Sequence, residues 1–157
     1  MGVGFMVMGL YESFLYSFLA TIAFAVLFQA PKRTLIISGV IGAIGWVVFV
    51  YLRQYLEYNS FHANFLATVA LALISELSAR MFKQPATVFL IPGIIPLVPG
   101  LGMYQGMKQI IEKSYDNGVT TLLTAGTDSA AIALGIMVIA SIFRVIKMSA
   151  TKNFWTK

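Results

Sequence analysis

The sequence predicts an all-α polytopic membrane protein with five transmembrane helices, the fourth broken by a proline–glycine motif. Three observations carry that prediction. Of the 157 residues, 59% are hydrophobic and only 11% are charged, whereas a soluble domain carries about 25% charged residues. Apolar runs recur along the chain, each close to the roughly 20 residues a helix needs to cross the hydrocarbon core. And one such run is interrupted at its middle by Pro92-Gly93-Ile94-Ile95-Pro96-Leu97-Val98-Pro99-Gly100.

The whole chain, 1–157, reads as a single integral membrane domain. Span one covers about 10–28 and stops at Pro31-Lys32-Arg33. Span two covers about 34–52. Span three covers about 63–79 and is followed by Arg80 and Lys83. Span four covers about 85–107 and holds the break. Span five covers about 119–143 and is followed by Arg144 and Lys147. No internal repeat and no low-complexity linker separates them.

The basic residues orient these spans. Lys32, Arg33, Arg80, Lys83, Arg144, Lys147, Lys152 and Lys157 fall on one side, against Arg53, Lys108 and Lys113 on the other. Lysine and arginine accumulate on the cytoplasmic side. The N-terminus is therefore expected outside and the C-terminus inside, as an odd number of spans requires. Trp155 and Lys157 suit the inner interface, and Tyr51, Tyr55 and Tyr58 the outer one.

Composition also excludes function classes. The chain has no cysteine, so disulfides and thiolate metal sites are ruled out. The net charge of +5 comes from residues at the ends of apolar runs, which suits a membrane face and not a nucleic-acid partner. His62 stands alone in a short loop, and a metal needs several ligands. No Ser-His-Asp set or paired histidine is present, so no enzyme, metal site or cofactor is expected.

The break points to a transport path more than to a plain anchor. Proline lacks a backbone donor and frees the carbonyl four residues earlier. Pro92, Pro96 and Pro99 would thus free the carbonyls of Val88, Pro92 and Ile95. Irregular backbone at membrane depth survives only inside protein or beside a watery cavity, and transporters build substrate sites from such interrupted helices. Freed carbonyls suit a cation or a substrate ammonium. A helix restarting after Gly100 would offer its amides to a carboxylate. A proline kink that serves packing alone is the alternative.

Helices in lipid pack through small residues. Such faces appear in span one (Ser13, Ser17, Ala20, Thr21), span two (Ser38, Gly42, Gly45), span three (Thr68, Ala72, Ser75, Ala79) and span five (Thr124, Thr127, Ala131, Gly135). Two faces carry carboxylates. Asp128 lies inside span five, about 10 Å from its outer end at 1.5 Å per residue. An ionisable residue there costs roughly 2.5–3.5 kcal/mol and faces a cavity or a partner. Glu76 lies near the inner end of span three, with Arg80 one turn later. An ordinary i,i+4 ion pair is its plainer reading. Together these residues give the expected site. Substrate is expected at Pro92, Gly93, Pro96, Pro99, Gly100, Thr124 and Thr127, and proton exchange at Asp128 and Glu76.

The run from Pro85 through Gly100, followed by Gly102-Met103-Tyr104-Gln105-Gly106-Met107, resembles the small component of the split threonine/serine exporter family. The resemblance covers nearly the whole chain. It implies a multi-pass protein of the bacterial inner membrane that works with a larger five-span subunit of the same family. It implies secondary-active, proton-driven export of threonine and serine, or of small dicarboxylates such as succinate. Two other readings stay open: a homo-oligomeric channel or carrier, and an accessory scaffold without a path of its own.

Overall fold

The computed structural model describes residues 9–152, with side chains through 146. The anchor roles read for Trp155 and Lys157, and the side chains of Lys147 and Lys152, lie outside the described residues. Helix α1 covers Leu10–Leu27, α2 Leu35–Gln54 and α3 Ser60–Phe82. The interrupted span follows as α4, Thr87–Ile94, a 3₁₀ turn over Ile95–Leu97, and α5, Gly100–Ile111. Helix α6 runs from Tyr115 to Lys152.

Among the described residues, four helical segments are long and apolar enough to cross a membrane. The fifth candidate is the pair Thr87–Leu97 and Gly100–Ile111, bent by 42° at the break. The protein is thus an all-α polytopic membrane protein. Helix α6 has 38 residues, about 57 Å at the α-helical rise, well beyond the ~30 Å of a hydrocarbon core.

Helix α2 is the centre of the bundle, touching α1, α3 and α4. Its glycines make those approaches possible. A Cβ on Gly42 would strike the Thr21 side chain of α1, and one on Gly45 would lie 2.6 Å from Leu71 Cδ1 of α3. Without a strong hydrophobic drive in lipid, such close contacts hold the helices together. The buried faces of α1 (Ser13, Ser17, Thr21) and α3 (Ala63, Asn64, Ala67, Thr68, Ala72, Ser75) are correspondingly small or polar apart from Leu71. Ile41, Leu71 and Phe89 form the apolar centre, with Leu97 of the 3₁₀ turn and Ile132 of α6.

Contacts fix the relative directions of the helices. Ser60 meets Asp128, Thr68 meets Gly135, and Arg80 meets Phe143, so α3 and α6 run parallel. Ser38 meets Val88 and Gly42 meets Gly93, so α2 and α4 also run parallel. Helix α5 packs chiefly on the first half of α6. There a Cβ on Gly118 would lie 3.0 Å from the Gly106 carbonyl.

Three helices end in the same turn. Ala30 donates to Ala25, Gln84 to Ala79 and Ser114 to Gln109, the six-to-one bond of a Schellman ending. The left-handed position, usually glycine, is filled by Gln29, Lys83 and Lys113, with φ of 57°, 52° and 65°.

Candidate functional site

Asp128 is 7% exposed although it is a carboxylate on a membrane helix. Its Oδ2 accepts a hydrogen bond of 2.7 Å from the Ser60 hydroxyl. Asn64 Nδ2 donates in turn to Ser60 Oγ at 3.4 Å. Both donors come from the first turn and a half of α3. That helix starts at Ser60, three residues before the 63 expected from hydropathy, because Asn59 caps it. Asn59 Oδ1 accepts from the His62 amide at 3.0 Å, the usual N-cap arrangement. His62 Nδ1 lies 2.6 Å from the same oxygen.

The pairing fixes the place of Asp128 against α3. It stands level with the first residue of α3, at one end of that helix, although α6 continues a further 13 residues back to Tyr115. The second oxygen, Oδ1, is buried without a protein partner, as are Asn64 Oδ1, Thr68 Oγ1 and Ser75 Oγ. Spacing puts Ser60, Asn64, Thr68 and Ser75 on one face of α3. A polar seam therefore runs along α3, and its first members meet the carboxylate of α6.

The break comes close to the same level. Gly102, in the first turn of α5, faces Ala125 across a gap that a Cβ would fill at 3.5 Å. Ala125 is one turn of α6 from Asp128. Pro99 is half-buried, and Gly100 is exposed with open space beside it. Thr124 and Thr127 are exposed on α6. Their hydroxyls donate to the backbone of their own helix, to Thr120 O at 2.9 Å and Thr124 O at 2.8 Å. They offer lone pairs to a neighbour and no free proton.

Other predicted residues are placed differently. Pro92 and Gly93 are buried inside α4 against α2 and α3, and Pro96 is half-buried in the 3₁₀ turn. Two carbonyls expected to be free have donors. Ser38 Oγ of α2 reaches Val88 O at 3.5 Å, and the Val98 amide donates to Ile95 O at 3.2 Å. The sequence gives no direct sign of the first, since it joins residues 50 positions apart.

Glu76 lies at the far end of α3 from Ser60, about 24 Å along the helix, so the two carboxylates are not brought together. The expected Glu76–Arg80 ion pair is not formed. Among the described residues the one ion pair is Lys108–Glu112. The Arg80 guanidinium sits instead over the Phe143 ring, 4.6 Å from its centroid. Glu76 and Arg80 line a cleft of about 710 Å³ with Gln84, Ala86, Phe143 and Arg144.

A polar, partly unpaired carboxylate beside a broken helix in a multi-pass bundle is transporter-like geometry. The family model described as "Threonine/Serine exporter, ThrE" matches residues 13–142, most of the chain. The chain belongs to the threonine/serine exporter family. A Threonine/serine exporter of Corynebacterium glutamicum is 30% identical over 115 residues, which is 73% of this chain and 23% of that protein. The chain thus spans about a quarter of that exporter's length. No solved structure matches it. The stretch matched by the exporter-family model takes in the break, Glu76, Ser60 and Asp128.

Proposed function

We propose that this chain is the small, second-half subunit of a secondary exporter in the bacterial inner membrane. Its N-terminus lies outside, its C-terminus lies inside, and a larger five-span subunit completes the path. The cargo is a small carboxylate-bearing metabolite, threonine or serine before a dicarboxylate such as succinate. Export is coupled to protons, with Asp128 as the exchanging carboxylate and Glu76 as a second one. Substrate is held between the break at Pro92, Gly93, Pro96, Pro99 and Gly100 and the neighbouring Thr124 and Thr127.

The observation that carries this reading is Asp128. A carboxylate buried among helices, with one oxygen bound to Ser60 and the other without a partner, is held ready for a proton or a ligand. It lies one turn from the residue that faces the start of α5. The exposed hydroxyls of Thr124 and Thr127 support a protein neighbour there, since their lone pairs are open on the face beside the candidate site.

The test is purification of the tagged chain from its native membranes, followed by transport in proteoliposomes under a pH gradient. A stoichiometric second membrane protein, and export of threonine that Asp128→Asn abolishes without disassembling the pair, are expected. Recovery of the chain alone as a transporting oligomer would establish the homo-oligomeric carrier instead. Full export by both Asp128→Asn and the Pro96→Ala, Pro99→Ala double variant would reduce the chain to a scaffold.

A further inference from the structure

A second site lies at the opposite end of the α3–α6 pair. The cleft between the ends of α3 and α6 and the start of α4 has a volume of about 710 Å³. Two guanidinium groups line it, Arg80 from α3 and Arg144 from α6, together with one carboxylate, Glu76. These charges do not neutralise one another. Among the described residues no ion pair joins Glu76 to either arginine. Arg80 is held by the face of Phe143, a cation–π contact that positions the guanidinium and leaves its N–H groups available. Gln84 and Ala86 give the α4 side of the cleft no charge.

We infer that this cleft binds a zwitterion, with the ligand's oxyanion on Arg80 and Arg144 and its ammonium on Glu76. Arginine suits a carboxylate because its planar fork matches the two oxygens. One carboxylate beside two arginines selects for a ligand that itself carries one cation. A free α-amino acid satisfies all three side chains. A dicarboxylate would bring its second charge against Glu76, and like charges at such range repel.

Under the topology proposed above, the cleft opens to the cytoplasm, where exported cargo enters. Identification of the zwitterion as cargo rests on that exporter reading. The recognition chemistry does not. The ligand's ammonium and a proton would compete for the same Glu76 carboxylate, with Arg80 and Arg144 as the charged groups facing it. A zwitterionic phospholipid headgroup has the same oxyanion and ammonium and is the other source of this chemistry.

The experiment is calorimetric titration of threonine, and separately of succinate, into the purified full-length chain. It is run in phospholipid-free detergent and again in nanodiscs of phosphatidylethanolamine. In detergent, threonine is expected to bind more tightly than succinate. Arg144→Gln should weaken threonine binding about tenfold or more, the loss of a charged hydrogen bond. Glu76→Gln should weaken threonine binding and strengthen succinate. Arg144→Lys keeps the charge and should restore part of the threonine affinity, which separates a lost contact from a lost fold. Threonine binding that survives in nanodiscs identifies the amino acid as occupant. Binding seen in detergent and abolished by phosphatidylethanolamine identifies the headgroup, and overturns the cargo assignment. Equal affinity for succinate and threonine, or threonine affinity unchanged by Glu76→Gln, overturns the zwitterion site. These titrations are read without export, so a failure of proton coupling, seen in transport by Asp128→Asn, is read apart from a failure of this cleft.

Discussion

Ser60 and Asp128 are 68 positions apart in sequence and joined by a hydrogen bond of 2.7 Å. The bond ties the first residue of α3 to a point 13 residues into α6 and sets the register of two parallel helices. It also leaves the other carboxylate oxygen free for a second partner.

Ser60→Ala removes the hydroxyl and strands a buried acceptor. The expected loss is about 1–3 kcal/mol, read as a lower unfolding midpoint in detergent. Ser60→Thr keeps the hydroxyl and should recover most of it. A midpoint unchanged in Ser60→Ala would show that the bond contributes nothing to the α3–α6 contact.

Ser38 and Pro92 should be coupled. The Ser38 hydroxyl reaches the Val88 carbonyl, which Pro92 deprives of its helical donor. In the Pro92→Ala background an amide becomes available, and Ser38→Ala should cost less than it does alone. The expected coupling is about 0.5–1 kcal/mol. A double-mutant cycle on thermal unfolding measures it, and additive effects would separate the two residues.

Gly135→Val should open the α3–α6 contact. A Cβ there would lie 2.9 Å from Thr68 Cβ and 3.1 Å from the Phe65 carbonyl, which cannot give way like a flexible side chain. Overpacking of this kind costs about 1–3 kcal/mol. Gly126→Ala, on the open side of the same helix with nothing within 4 Å, should instead stabilise by about 0.5–1 kcal/mol, because alanine loses less backbone freedom on folding. Equal midpoints for the two variants would contradict the packing described.

Gln29→Gly should stabilise the protein. Gln29 holds φ at 57° in the ending of α1, and a left-handed L-residue costs roughly 1–2 kcal/mol. Glycine's greater freedom in the unfolded chain offsets part of that relief. The net gain is therefore expected near 0.5 kcal/mol, as a raised unfolding midpoint.

The membrane-length helices and the break were legible because hydropathy and proline act locally. The partners of the key groups were not. Ser60 falls outside an apolar window that opens at residue 63, although Asn59 in front of it is a readable N-cap. The Ser38–Val88 contact depends on how α2 and α4 pack, which no local pattern encodes. Spacing predicts a Glu76–Arg80 pair, but Phe143 arrives from α6 and holds the guanidinium. The turns at Gln29, Lys83 and Lys113 lack the glycine that usually announces them.

The central place of α2 bears on biogenesis. Chains emerge N-terminus first, at about 5–20 residues per second. Helix α2 therefore leaves the ribosome before α3 or α4, and its glycine notches wait for the helices that follow. Helix α1 docks first, and α3 and α4 then assemble on a template already present. Helix α6 follows the other five and has no large contact with that template. It joins through α3 and α5. The carboxylate of the candidate site is thus delivered after the other five helices, and the site does not exist until synthesis of α6 is under way.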